Sequence, residues 1–128
     1  MFANTRATNG FAVDDIDAAK RFYGETLGLG VKVMSEEFGV AAIELAGGRD
    51  TLVYAKPDFV PATYTILNFE VDDVDAAVDQ LTEKGVGMER YEGFDQDEKG
   101  IARGNGPSIA WFKDPAGNIL AVLQQPSA

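Results

Sequence analysis

The alternation of apolar and polar residues changes period several times along this chain, and the changes mark its elements. Ala7 to Val13 alternates with period two. Asn9, Phe11 and Val13 fall on one side and Thr8, Gly10 and Ala12 on the other, as in a strand. From Ile16 the spacing becomes helical, with Ile16, Ala19, Phe22 or Tyr23, and Leu27 on one stripe. Asp15 stands at the N-cap, Asp17 in a first turn whose dipole favours a carboxylate, and Gly28 at the stop. Three short strands are expected next: Val31–Met34, Val40–Leu45 and Thr51–Ala55. The last two are joined through Gly47-Gly48-Arg49-Asp50, a run suited to a hairpin turn.

A second round of the same pattern follows a connector, Lys56 to Ala62, that contains Pro57 and Pro61. Tyr64 to Val71 repeats the first strand, with Leu67, Phe69 and Val71 toward the helix. Asp73 caps a second helix whose stripe is Val74, Ala77 and Leu81 and which ends at Gly85. Val86–Tyr91, Ser108–Lys113 and Asn118–Gln124 are three further strands, the last two joined by the turn Asp114-Pro115-Ala116-Gly117. In one place the repeat is literal: Val13-Asp14-Asp15-Ile16-Asp17-Ala18-Ala19 returns as Val71-Asp72-Asp73-Val74-Asp75-Ala76-Ala77. Two copies of one supersecondary unit are therefore expected. The predicted fold class is α+β: two βαβββ modules in tandem, forming curved mixed sheets around a cleft, with one helix per module outside. The modules span about residues 5–56 and 63–125, joined by a linker at 57–62, within a single 128-residue domain. Glu92 to Gly106 is the only long polar, glycine-containing stretch and reads as a loop, with a lid as one role open to it.

Composition narrows the chemistry. Hydrophobic content of 45% and charged content of 25% are those of an ordinary soluble globular protein. The formal net charge of −10 repels phosphate backbones and anionic headgroups, so neither nucleic acid nor a membrane surface is an expected partner. No apolar run approaches the roughly 20 residues that span a bilayer. The N-terminus lacks the order of a signal peptide, and the chain has no cysteine for a disulfide framework. A cytoplasmic location is the expectation. The absence of histidine removes the commonest general base and the commonest transition-metal ligand. Ser-His and Cys-His nucleophiles are excluded with it, and any metal would rest on carboxylates, carbonyls and water.

The phrase Val13-Asp14-Asp15-Ile16, then Phe22-Tyr23, then Leu27-Gly28-Leu29, and finally Asp114-Pro115-Ala116-Gly117-Asn118 before an apolar strand, resembles the vicinal oxygen chelate superfamily. That group contains glyoxalase I, bleomycin-resistance proteins and extradiol dioxygenases. The resemblance covers nearly the whole chain. In the metalloenzymes of the group, four inner-face positions hold the ion, and counting from the motifs carries them onto Thr8, Val53, Ile66 and Ala121. Threonine, valine, isoleucine and alanine are not a ligand set for a divalent ion, so no metal and no cofactor is expected. Glyoxalase I-like and dioxygenase-like activities are disfavoured with it. Homodimer formation is expected by analogy with the group.

Once those positions are placed, period two predicts the concave face. Thr8, Gly10 and Ala12 lie on one strand, Ile66, Asn68 and Glu70 on its twin. Pairing Lys113 with Ile119 sets Trp111 opposite Ala121, and pairing Ala46 with Thr51 sets Glu44 opposite Val53. Glu44 and Trp111 would then be twins. Trp111, the sole tryptophan, is either a stacking platform for a flat or cationic ligand or a core residue. Glu44 is a contact for a cationic ligand, a general base, or a solvated strand residue. Asn68 binds ligand or backbone. Arg103 clamps an anionic group or stays a mobile surface cation. The run Asp95, Asp97, Glu98 lacks the spacing of a calcium loop and reads as a solvated tip. The candidate ligand-binding set is Thr8, Glu44, Val53, Ile66, Asn68, Arg103, Trp111 and Ala121, with Glu44 the best candidate for a catalytic group.

Three functions fit these readings. The first is metal-independent binding of a small aromatic or cationic molecule, by sequestration as in bleomycin resistance. The second is a lyase or isomerase with Glu44 as base. The third is a protein-interaction or regulatory module with a vestigial pocket.

Overall fold

The computed structural model describes residues 1–104 and 106–126. The chain divides into two compact units, the first Met1–Pro61 and the second from Ala62 onward.

In the first unit, strand β1 (Asn9–Val13) leads into helix α1 (Ile16–Arg21), which continues as a π-helical turn over Phe22–Thr26. Strands β2 (Gly30–Ser35), β3 (Val40–Leu45) and β4 (Arg49–Ala55) follow. The sheet order is β1-β4-β3-β2, with β1 parallel to β4 and the other pairs antiparallel. Asp15 caps α1 by accepting from the amides of Asp17 and Ala18 at 3.0 and 3.2 Å. The sequence pattern left open whether Phe22 or Tyr23 faces the core. Both do, because the wider turn brings neighbouring residues to the same side. Their rings meet edge to face at 5.2 Å, and Tyr23 reaches Phe11 of β1 at 5.5 Å. The helix side of this sheet is closed by Val13, Ala41, Ile43, Thr51 and Val53, all buried.

In the second unit, β5 (Thr65–Glu70), α2 (Val74–Glu83), β6 (Ser108–Lys113) and β7 (Ile119–Gln124) form a three-stranded sheet of order β5-β7-β6 with its helix. Helix α2 buries Val74, Val78 and Leu81 against Ala110, Phe112, Leu120 and Val122. Val78, rather than the expected Ala77, completes that stripe. Asp73 accepts from the Ala76 amide, and the Gln124 side chain accepts from the Val74 amide at 3.0 Å, tying the helix start to β7. At the other end the Val86 amide returns to Leu81 O and the Gly85 amide to Thr82 O, a Schellman closure. The Asp-Pro-Ala-Gly-Asn turn is a buried polar knot. Asp114 accepts from the amides of Ala116 and Asn118 and from the Asn118 side chain, whose Oδ1 accepts from the Ala62 amide.

Two expectations are corrected. Val86–Tyr91 does not form a strand, so the described residues form seven strands rather than the eight expected. One ladder rung survives, from the Glu89 amide to Trp111 O. The next groups are taken by one side chain instead: Gln96 accepts from the Tyr91 amide and donates to the carbonyls of Glu89 and Gly100. The second correction is the register of the β3–β4 hairpin. Leu45 pairs with Arg49 and Glu44 with Asp50, because Gly47 (φ +88°) and Gly48 (φ +72°) close a tighter loop than expected. Arg49 and Asp50 therefore join β4. The slip is odd, so Val53 changes face.

The Thr51 hydroxyl is buried and finds no hydrogen-bond partner among the described residues. Thr51→Val keeps the shape and removes an unsatisfied oxygen, so it should raise the unfolding free energy by about 1 kcal/mol in urea denaturation. A loss of that size would show that the hydroxyl is bonded.

Candidate functional site

Each sheet has one face against its helix and one without, and the pleat decides which side chains reach the second. In the first unit the helix-free face carries Gly10 and Ala12 of β1, Leu52 and Tyr54 of β4, Ala42 and Glu44 of β3, and Lys32 of β2. The floor is low, because four of its positions, Gly10, Ala12, Gly30 and Ala42, carry at most a methyl group. Glu44 is exposed on this face and lies across Gly30, where an added Cβ would stand 2.4 Å from its Oε2. Thr8 is exposed just ahead of β1. Val53, expected beside Glu44, instead lies opposite Phe11 and Ala41 on the helix side, 1% exposed. The position across from Val53 is Ala41, so Trp111 has an alanine and not Glu44 as its twin.

In the second unit the expected register of the β6–β7 hairpin holds. Asn68, Ala121 and Trp111 are successive cross-strand partners in one row, on the face away from α2. Glu70, Leu123 and Ile109 form the next row. Ile66 sits at a bulge between Thr65 and Leu67. Asn68 is exposed, Ala121 is fully buried, and Trp111 is 9% exposed. What covers the indole is the polar loop of this unit, through three apolar residues. Tyr91 meets it edge to face at 5.5 Å, Phe94 lies tilted at 4.9 Å, and Ala102 packs in the same cluster. Phe94 remains 54% exposed. Burial and the nearby Glu89 charge push the Tyr91 phenol up, against a smaller opposing effect of Lys113. Its hydroxyl has no partner among the described residues.

The loop is held by polar contacts that no local pattern announces. Ala102 exchanges two backbone hydrogen bonds with Ile109 at the edge of β6. Gly100, at φ +89°, passes so close to Met88 that a Cβ would stand 2.8 Å from the Met88 Cβ. Arg90 donates to the carbonyls of Asp97 and Glu98. Asp97 is therefore not a solvated tip. Burial works to raise its pKa, but the amides of Ile101 and Lys99 and the Arg103 guanidinium together hold it below the usual 3.8. Arg103 donates to Asp75 at 2.8 Å and to Asp97 at 3.2 Å, and Lys99 pairs with Asp79 and Asp75 on α2. Arg103 is thus a fastener of the loop to α2, and the reading of a mobile surface cation gives way. Gln96, Asp97, Tyr91 and Phe94 are the contributors that sequence reasoning missed, since their partners are distant or in irregular chain.

Residues 7–122 match the Glyoxalase/Bleomycin resistance protein/Dioxygenase superfamily. The chain belongs to that superfamily. No curated protein matches it. Among solved structures it is similar to a putative glyoxalase family protein from Bacillus anthracis, at 20% identity over 98% of this chain and 100% of that one, with a TM-score of 0.69. It is also similar to TnmS3, an antibiotic binding protein from Streptomyces sp. CB03234, at 26% identity over 96% and 98% of the two chains, with a TM-score of 0.66. A glyoxalase/bleomycin resistance protein from the same source matches at 26% identity over 92% and 100%, with a TM-score of 0.62.

The four positions to which the superfamily resemblance carries a metal site do not fit a divalent ion. Val53 points into the core, Ile66 and Ala121 have no donor atom on their side chains, and only the exposed Thr8 hydroxyl remains. Among the described residues no three His, Cys, Asp or Glu side chains are grouped to hold one. No helix among them is long and apolar enough to cross a membrane.

A depressed carboxylate pKa contributes stability above the unfolded value, and the contribution disappears as pH falls through the folded value. Asp97 should therefore hold its loop throughout the neutral range and release it only below about pH 4. Asp97→Asn should release it at pH 7, read as faster amide hydrogen exchange at Lys99 and Ile101 with α2 still protected. Unchanged exchange would remove Asp97 from this role.

Proposed function

We propose that this superfamily member binds a small aromatic or cationic molecule without a metal ion, in the manner of sequestration rather than turnover. The observation that carries this reading is the row Asn68–Ala121–Trp111 with Tyr91 and Phe94 packed against the indole at its end. The half-exposed Phe94 ring, backed by the buried indole, offers apolar area, and the exposed Asn68 amide in the same row offers a hydrogen bond that sets orientation. Glu70 in the next row and the net charge of −10 favour a cation over an anion at this face. The 26% identity to an antibiotic binding protein supports a binding role of this kind. The residues at the superfamily's metal positions support metal independence.

Chelator-treated protein should be stabilised by a planar aromatic or cationic glycopeptide antibiotic in thermal unfolding, with a change in the emission of Trp111. Asn68→Ala should weaken that binding by roughly tenfold, the worth of one oriented hydrogen bond. Absence of stabilisation across such a panel would count against the reading, and binding restored only by a divalent ion would end metal independence.

Homodimer assembly belongs to the same proposal. Its support is the apolar surface that Val33, Met34 and Phe38 expose on and beside the edge strand β2. Sedimentation equilibrium should give twice the chain mass, and Val33→Lys with Met34→Lys should return it to the monomer value.

A further inference from the structure

The first unit has a second feature, unlike the acidic surface around it. Because β1 runs parallel to β4, the segment entering β1 lies beside the start of β4. The tightened β3–β4 loop has drawn Arg49 and Asp50 into that start. Arg6, Ala7, Thr8 and Asn9 on one side, and Leu45, Gly48, Arg49 and Asp50 on the other, line an open depression of ≈ 650 Å³. That volume suits a small organic molecule and is far larger than an inorganic ion needs.

Its charge runs against the rest of the chain. There are 21 carboxylate side chains for 11 Lys and Arg. Lys20, Lys56, Lys99, Arg103 and Lys113 are in ion pairs, and Arg90 is spent on carbonyls. Arg6 and Arg49, like Arg21, Lys32 and Lys84, have no side-chain hydrogen bond or ion pair among the described residues; what sets Arg6 and Arg49 apart is that they line one depression, with Asp50 also in its lining. Two guanidiniums of this kind line one depression together with Thr8 and Asn9, which makes its lining rich in hydrogen-bond donors. The Ala7 and Leu45 side chains supply an apolar contact. A guanidinium fork matches a planar or tetrahedral oxyanion bidentately, which a point charge does not.

We infer that this depression binds a small organic oxyanion, a carboxylate or phosphomonoester on an apolar body, held by Arg6 and Arg49. The site is distinct in residues and in charge preference from the Trp111 face, and it stands or falls separately.

Benzoate and phenyl phosphate, with benzamide as the neutral control, test it by chemical-shift titration of the isotope-labelled protein. Both anions should move the amides of Thr8, Asn9, Gly48 and Arg49, with affinity falling as salt is raised. Benzamide should not. Arg6→Gln and Arg49→Gln should each weaken the anions by roughly tenfold, as expected for a charge-assisted bond, with the circular dichroism unchanged. Preference for phenyl phosphate or for benzoate decides which oxyanion the site takes. Benzamide binding as tightly as benzoate, or anion affinity unaffected by both arginine variants, would overturn the inference. Anion shifts confined to the Trp111 amide and its neighbours would overturn it while leaving a ligand on that face.

Discussion

The parity of strand pairing in two β-hairpins governs what this protein can offer a ligand. A strand's side chains alternate between faces, so the register of each hairpin sends every residue either to a helix-packed core or to the helix-free side. In the β6–β7 hairpin that register aligns Trp111 with Ala121 and, through β7, with Asn68. In the β3–β4 hairpin it sends Val53 to the core, keeps Glu44 on the helix-free face, and draws Arg49 into the start of β4, where it lines a depression that Arg6 also lines. Each candidate site is a consequence of one such alignment.

A second determinant is the irregular stretch from Val86 to Gly104. With no strand of its own, it satisfies its backbone through the Gln96 amide, the Asp97 carboxylate and the Arg90 guanidinium. Its ion pairs from Lys99 and Arg103 to Asp75 and Asp79 are exposed and individually weak, but they converge on one side of α2. Their effect is positional: they hold Tyr91 and Ala102 against the indole. Phe94 is the exception. Its amide makes only a long bond to Tyr91 O, and half of its surface is in solvent. The covering of Trp111 is thus firm on the Tyr91–Ala102 side and loose on the Phe94 side.

Local signals made much of this legible. The Asp15 and Asp73 caps, the period-two strands, both helix ends and the β6–β7 register depend on residues a few positions apart, where propensity and periodicity act directly. The duplicated phrase is one of these signals. Its aspartates cap helices, and its Val74 packs a core, so its value lay in marking the two units and the family. The misread elements share a different cause. Gly47-Gly48 permits more than one hairpin closure, and neighbouring residues do not choose among them. Val86–Tyr91 has strand-like composition interrupted by Gly87, and its carbonyl and amide groups were claimed by Gln96.

From the sequence alone came the α+β class, the tandem repeat, the loss of histidine and cysteine chemistry, and the pairing of Trp111 with Ala121. These are set by short-range periodicity and by composition, which exist before the chain folds. Tertiary structure alone decided that Val53 is core, that Arg103 and Asp97 fasten a loop, that Tyr91 and Phe94 cover the indole, and that Arg6 and Arg49 line one depression. Each of those depends on residues whose separation in sequence carries no signal, and only a folded sheet with its register chosen brings them together.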